Sequence, residues 1–153
     1  MSDLNIRLAS PEDAESIARL VRELALYERL AHEVVSTAED FRRALSQPAS
    51  TVEVLLAELA GKAVGFALFF ENFSTFVGRP GLYLEDLFVE PEHRRSGIGL
   101  ALFQELFRIA RLRNYGRMEW AVLDWNEPAI GFYTRKLNAR LLEEWRICRV
   151  DLR

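Results

Sequence analysis

Leu82-Tyr83-Leu84-Glu85-Asp86-Leu87-Phe88-Val89, followed after Glu90-Pro91-Glu92-His93 by Arg94-Arg95-Ser96-Gly97-Ile98-Gly99, is the stretch that decides the fold. Its first eight residues read as a strand that Pro91 stops. From Gly97 onward, Ile98, Ala101, Leu102, Leu106 and Ile109 recur at helical spacing and predict a helix to about Leu112. A glycine turn between a strand and a helix start is an anion site: its backbone N–H groups lack partners and face the positive end of the helix dipole. The glycines let a ligand approach the backbone, and successive N–H groups form a concavity suited to a diphosphate. Two other glycine-loop readings fail here. Leu100 follows Gly99 where a Walker-type loop needs lysine, and Leu102 stands where a dinucleotide fingerprint needs its third glycine.

Outward from this unit the chain punctuates itself. Asn5 to Leu8 alternates as a short strand, and Ser10-Pro11-Glu12-Asp13 opens a helix carrying Ile17, Leu20, Val21 and Leu24 to about Tyr27. Ser36-Thr37-Ala38-Glu39 resembles a capping box for a shorter helix with Phe41 and Leu45. Thr51–Leu59 and Ala63–Phe70 flank Ala60-Gly61-Lys62 as a hairpin, and residues 71–81 read as a loop. Met118–Leu123 predicts a strand, Pro128–Leu137 a helix, and Leu141-Leu142 with Trp145–Leu152 the closing strands. Asn138 follows that helix where a left-handed residue is needed. The expected class is α/β: one domain, residues 1–153, with a mixed sheet of about seven strands flanked by about four helices.

The chain has 153 residues, is 50% hydrophobic and 28% charged, and carries a net charge of -3. A basic nucleic-acid footprint is absent. No apolar run approaches the ~20 residues of a membrane span, and no signal peptide is recognised, so a cytoplasmic protein is expected. Cys148 is the only cysteine, which excludes an intrachain disulfide; alternating with arginines, it reads as a buried strand thiol. His32 and His93 are far apart in sequence without nearby ligand types, so no metal site is expected.

Arg94-x-x-Gly97-x-Gly99 after the Leu82–Val89 strand resembles the acetyl-CoA signature of the GNAT superfamily of N-acetyltransferases. The Leu82–Val89 block, Trp125-Asn126-Glu127-Pro128-Ala129-Ile130-Gly131-Phe132-Tyr133 and Arg22-Glu23-Leu24-Ala25-Leu26-Tyr27-Glu28 are similar to the branch of diamine (spermidine/spermine) and thialysine acetyltransferases. The resemblance implies that backbone groups of Leu87, Phe88 and Val89 pair with the pantetheine arm of acetyl-CoA. It also implies that the amides of Arg95, Ser96, Gly97, Ile98, Gly99 and Leu100 hold its diphosphate, and that Arg94 belongs to the cofactor site. Arg95 departs from the branch, which usually has glycine there: either the backbone accepts a side chain, or Arg95 adds a cation beside the phosphates. A homodimer is implied by the resemblance alone.

Acetyl transfer from a thioester needs a neutral amine, and with a pKa of about 10.4 only roughly one alkyl amine in a thousand is neutral near pH 7. A base or a desolvated pocket must help, and the departing CoA thiolate needs a proton. Tyr133 matches the family's tyrosine acid and is expected also to touch the cofactor. Glu85 is the candidate proton acceptor or anchor of the amine, since a carboxylate in an apolar strand needs a reason. Simple alternation puts Asp86 on the opposite face. Asn126 either hydrogen-bonds the cofactor, as the resemblance implies, or caps the helix beginning near Pro128.

Tyr27 and Glu28 match substrate-contacting positions of the branch, as does Glu144 or its neighbour Glu143, and carboxylates suit a small amine with more than one positive charge. Ser74 stands about where the spermidine/spermine members are acidic. With Ser74-Thr75-Phe76-Val77-Gly78-Arg79, it favours a thialysine-like amino acid or short diamine over spermine. Two other functions compete with this one. A protein-amine acetyltransferase calls for an open groove, and a non-catalytic acetyl-CoA-binding module needs neither Glu85 nor Tyr133.

Overall fold

The computed structural model describes residues 3–152. It divides into two compact units, Met1–Ala121 and Val122–Arg153.

The first unit holds a five-stranded sheet in the order β1-β2-β3-β4-β5, formed by Leu4–Leu8, Val52–Leu59, Lys62–Ser74, Arg79–Val89 and Met118–Trp120. β1 to β4 are antiparallel to their neighbours, and β5 runs parallel to β4. The parallel step requires the crossover that α3 (Ile98–Leu112) provides. α1 (Ala14–Tyr27) buries Ile17, Leu20 and Leu24 against Val54, Leu56, Phe66 and Phe88. α2 (Ala38–Ser46) is capped by Thr37 with Asp40 closing the box, one residue later than Glu39. α3 buries Ile98, Leu102, Phe103, Leu106 and Ile109, as its spacing predicts, while Ala101 is only half-buried.

Both long helices end through left-handed residues. After α1, Arg29 takes φ 64 and Leu30 N–H donates to the Ala25 carbonyl; after α3, Asn114 takes φ 59 and Tyr115 N–H donates to the Ala110 carbonyl. These closures satisfy the last helical carbonyls and fix where Tyr27 and Glu28 stand.

The predicted 71–81 loop is a correction. β3 continues to Ser74 and β4 begins at Arg79, so only a tight turn joins them. Gly78 at φ 76 donates to the Ser74 carbonyl, and Val77 N–H donates to Ser74 Oγ. The second unit carries α4 (Glu127–Gly131), which runs into a π-helical turn over Phe132–Lys136. Asn138 has φ 59, the left-handed form its position requires.

The closing strands are a second correction. Among the described residues the sheet has five strands rather than about seven, and residues 140–152 pair with no strand. A strand is stable only when its backbone groups find a ladder. Trp145, Ile147, Val150 and Leu152 lie exposed, and Cys148 is exposed rather than buried. Among the described residues no helix is long and apolar enough to cross a membrane.

Candidate active site

The turn between β4 and α3 has the geometry the sequence predicts and one feature it hides. Arg95 takes φ 64 and Gly97 φ 87, so two residues of the turn are left-handed. That conformation costs an L-residue about 1–2 kcal/mol, which explains why a glycine suits position 95. Arg95 pays this cost here. Ser96 Oγ donates to the His93 carbonyl, and Arg94 Nε donates to the Val89 carbonyl at 2.8 Å, tying the turn to the end of β4. Among the described residues, the N–H groups from Arg95 to Leu100 have no hydrogen-bond partner, the next amide being Ala101, which donates to the Gly97 carbonyl. Successive unpaired amides at a helix start fit a diphosphate. Gly97 has no capping side chain, and a Cβ at Gly99 would meet nothing within 4 Å, so the bare fold leaves room at the turn.

β4 offers a second element. β5 pairs with it only at Leu82, Tyr83 and Leu84, so from Glu85 to Val89 no described strand covers its outer edge. Leu87, Phe88 and Val89 are therefore available to an extended ligand that adds as a strand. The turn and this edge fit the diphosphate and arm of acetyl-CoA, which when bound supplies the activated acetyl group.

The uncovered edge begins at a β-bulge. Leu68 stands opposite Asp86 and Phe69 opposite Leu84, leaving Glu85 as the extra residue. The alternation argument that separates Glu85 from Asp86 fails at this point. Glu85 is exposed, whereas Asp86 is half-buried. Burial, then the charges of Glu85 and Glu28, push the Asp86 carboxyl up from 3.8 to about 7. Glu28 is raised too, by burial, at the C-cap of α1 where the helix dipole also disfavours an anion. Neighbouring Tyr27 lies 4.5 Å from the Arg94 guanidinium, which sits 5.2 Å from Phe88 as well. One cation thus joins α1, β4 and the turn.

The remaining predicted residues belong to the second unit. Asn126 is buried and its side chain accepts from Ala129 N–H at 3.3 Å, so the capping role is observed. Tyr133 is half-buried within the π-helical turn, a feature often found at functional sites. Glu143 and Glu144 are exposed.

Sequence reasoning missed the surroundings of His93. Glu90, Glu92 and His93 bring potential metal-ligand atoms within 4.8 Å of one another. Glu90 is nearly fully buried and is held by Arg19 at 2.6 Å, a cation that opposes a metal ion there. The signal lay in Glu90-Pro91-Glu92-His93, where the turn folds three side chains together.

Comparison with known proteins gives the family. Residues 16–139 match the acetyltransferase (GNAT) family. A thialysine N-epsilon-acetyltransferase of Caenorhabditis elegans is 35% identical over 99% of this chain and 94% of its own length. An L-ornithine N5-acetyltransferase of Arabidopsis thaliana is 30% identical over 95% of this chain and 83% of its own. An aminoglycoside acetyltransferase from a soil metagenome, solved with trehalose, superposes with a TM-score of 0.82 at 20% identity. It covers 99% of this chain and 98% of its own, a likeness of fold alone. With a family match spanning both units and relatives aligned along nearly the whole length, the chain belongs to the acetyltransferase (GNAT) family and is an N-acetyltransferase.

Proposed function

We propose that the chain, acting as one acetyltransferase domain, transfers the acetyl group of acetyl-CoA directly to a primary amine of a small cationic molecule. The observation that carries this is the pairing of an amide-lined turn (Arg95–Leu100) with an uncompensated group of carboxylates, Glu28, Glu85 and Asp86, on the adjacent elements. The turn suits the diphosphate and the carboxylates suit ammonium. Glu85 and Glu28, with Tyr27, anchor the amine, and Glu144 is a further candidate contact. Tyr133 protonates the departing thiolate. No step assigned to these residues calls for a metal.

The substrate is a thialysine-like amino acid or a short diamine rather than spermine. The thialysine and ornithine acetyltransferases among the relatives support a compact amino-acid amine. Ser74 supports it further, because this buried residue closes the β3–β4 turn instead of presenting a carboxylate. We place the reaction in the cytoplasm and the working form as a homodimer; the exposed Trp145, Ile147, Val150 and Leu152 offer apolar area for a second copy to cover.

A CoA-release assay over thialysine, lysine, ornithine, putrescine, spermidine and spermine tests the reading. Thialysine or ornithine is expected to give the highest kcat/KM. Spermine outpacing both would overturn the substrate assignment, and no release with any amine would overturn the function.

A further inference from the structure

Arg94 touches elements on both sides of the site. Its guanidinium carbon lies over two rings, 4.5 Å from the centre of Tyr27 in the last turn of α1 and 5.2 Å from that of Phe88 on β4. Both ring quadrupoles attract such a cation, more strongly where water is excluded. Phe88 is buried and Arg94 is half-buried, so part of that water is gone.

The backbone adds a second link. Glu90 N–H donates to the Val64 carbonyl and so faces β3. Successive residues of a strand turn their N–H and C=O groups to alternate sides, which directs those of Val89 to the outer edge. There Arg94 Nε donates to the Val89 carbonyl at 2.8 Å. The edge open to an extended ligand thus keeps the Val89 N–H but not its acceptor, and Arg94 closes it. Arg94 is itself fixed by the turn it opens: its N–H donates to the Pro91 carbonyl at 3.3 Å, and Ser96 Oγ donates to the carbonyl of neighbouring His93. A guanidinium tied through Nε has its plane set, so it holds the Tyr27 ring in one place. A lysine, with a point charge on a flexible stem, would not.

We propose that Arg94 positions Tyr27 for the amine substrate and so couples the amine site to the cofactor turn. It is a positioning residue that acts through the tyrosine ring. This rests on the reading of the site as an amine acetyltransferase with Tyr27 among the amine's contacts. When the β4 edge and the turn are occupied, Arg94 loses its freedom to leave Val89 and Tyr27, and the ring is in place before the amine arrives. Ordering completed for one ligand is not required again for the other, so each binds more tightly in the other's presence.

The test is calorimetric titration of CoA with and without saturating amine, the amine being the one of highest kcat/KM in the CoA-release panel. The KM for that amine is measured beside it. Wild type, Arg94→Met, Arg94→Lys, Tyr27→Leu and Tyr27→Phe are compared, each checked for folding by circular dichroism. In the wild type the amine is expected to tighten CoA binding about fivefold or more. Arg94→Met and Tyr27→Leu each abolish that gain and raise the amine's KM about tenfold, with kcat changed less. Combining the two raises KM no further, because both remove the same contact. Arg94→Lys keeps the charge without the planar fork and behaves as Arg94→Met, which it replaces should the methionine variant fail to fold. Tyr27→Phe keeps the ring and the coupling. Coupling that persists in Arg94→Met or Arg94→Lys, or disappears in Tyr27→Phe, overturns the assignment. So do single effects that multiply in the double variant, or a wild type whose CoA affinity ignores the amine. A wild type that binds no CoA or acetylates no amine overturns the acetyltransferase reading instead.

Discussion

Asp86 stands directly across the strand pair from Leu68, a carboxyl set against an apolar partner on the face covered by α1. The folded protein thus keeps this proton at a pH where the unfolded chain releases it. The group's contribution to stability is greatest below about pH 4, declines as the pH rises toward about 7, and levels off beyond. Asparagine carries no charge at any of these values. Asp86→Asn is expected to match the wild type near pH 4 and exceed it at pH 8 by between about 1 and 4 kcal/mol, the upper figure being the whole displacement at about 1.4 kcal/mol per pH unit. Urea denaturation at both values measures it; an equal difference at both contradicts it.

Gly99 is the position where fold and ligand make opposite demands. A Cβ there meets nothing within 4 Å, and in a helix's first turn alanine is favoured over glycine by roughly 0.5–1 kcal/mol. Gly99→Ala is expected to unfold at the same or higher urea concentration yet bind CoA at least about tenfold more weakly, as calorimetry would report. Unchanged CoA affinity would show that the turn does not approach the diphosphate closely.

Arg95 carries the strain of a left-handed backbone at φ 64. Arg95→Gly relieves it while loosening the unfolded chain, for a net gain of about 0.5–1 kcal/mol. Denaturation midpoints check the sign, and a destabilised variant would mean that the arginine side chain contributes more than its backbone costs.

Arg19 links α1 to the end of β4 by donating to Glu90 at 2.6 Å and to the Ala63 carbonyl at 2.8 Å. Glu90 is only 3% exposed, and its Oε1 has no hydrogen-bond partner. Arg19→Met leaves that carboxylate buried without its cation. A loss of about 2–4 kcal/mol is expected, and the double variant Arg19→Met with Glu90→Gln should recover part of it.

Tyr133→Phe removes one hydroxyl from the proposed acid. Turnover is expected to fall at least about tenfold while CoA affinity holds. Turnover equal to the wild type would take Tyr133 out of the mechanism.

The Leu82–Leu112 unit is legible because three local signals coincide: an apolar strand, a stopping proline and a glycine at a helix start. The bulge is not. Period-two alternation over Leu82–Val89 looks the same with or without an extra residue, and only pairing with β3 shows that Asp86 has changed face. Asn138 announces its left-handed backbone by residue type, whereas Arg29 and Arg95 do not. Trp145–Leu152 has the composition of a strand, but composition cannot supply a partner, and among the described residues no strand pairs with it. Glu71-Asn72-Phe73 looks like a loop by its polarity, yet the β4 residues opposite draw it into the ladder.

The most direct measurement follows a labelled acetyl group. Incubated with carbon-labelled acetyl-CoA and thialysine, the protein is expected to move the label into an amide on the small molecule, with one free CoA thiol per label transferred. Label that remains on CoA, or that ends on protein lysines while the small amine stays unmodified, would contradict the account.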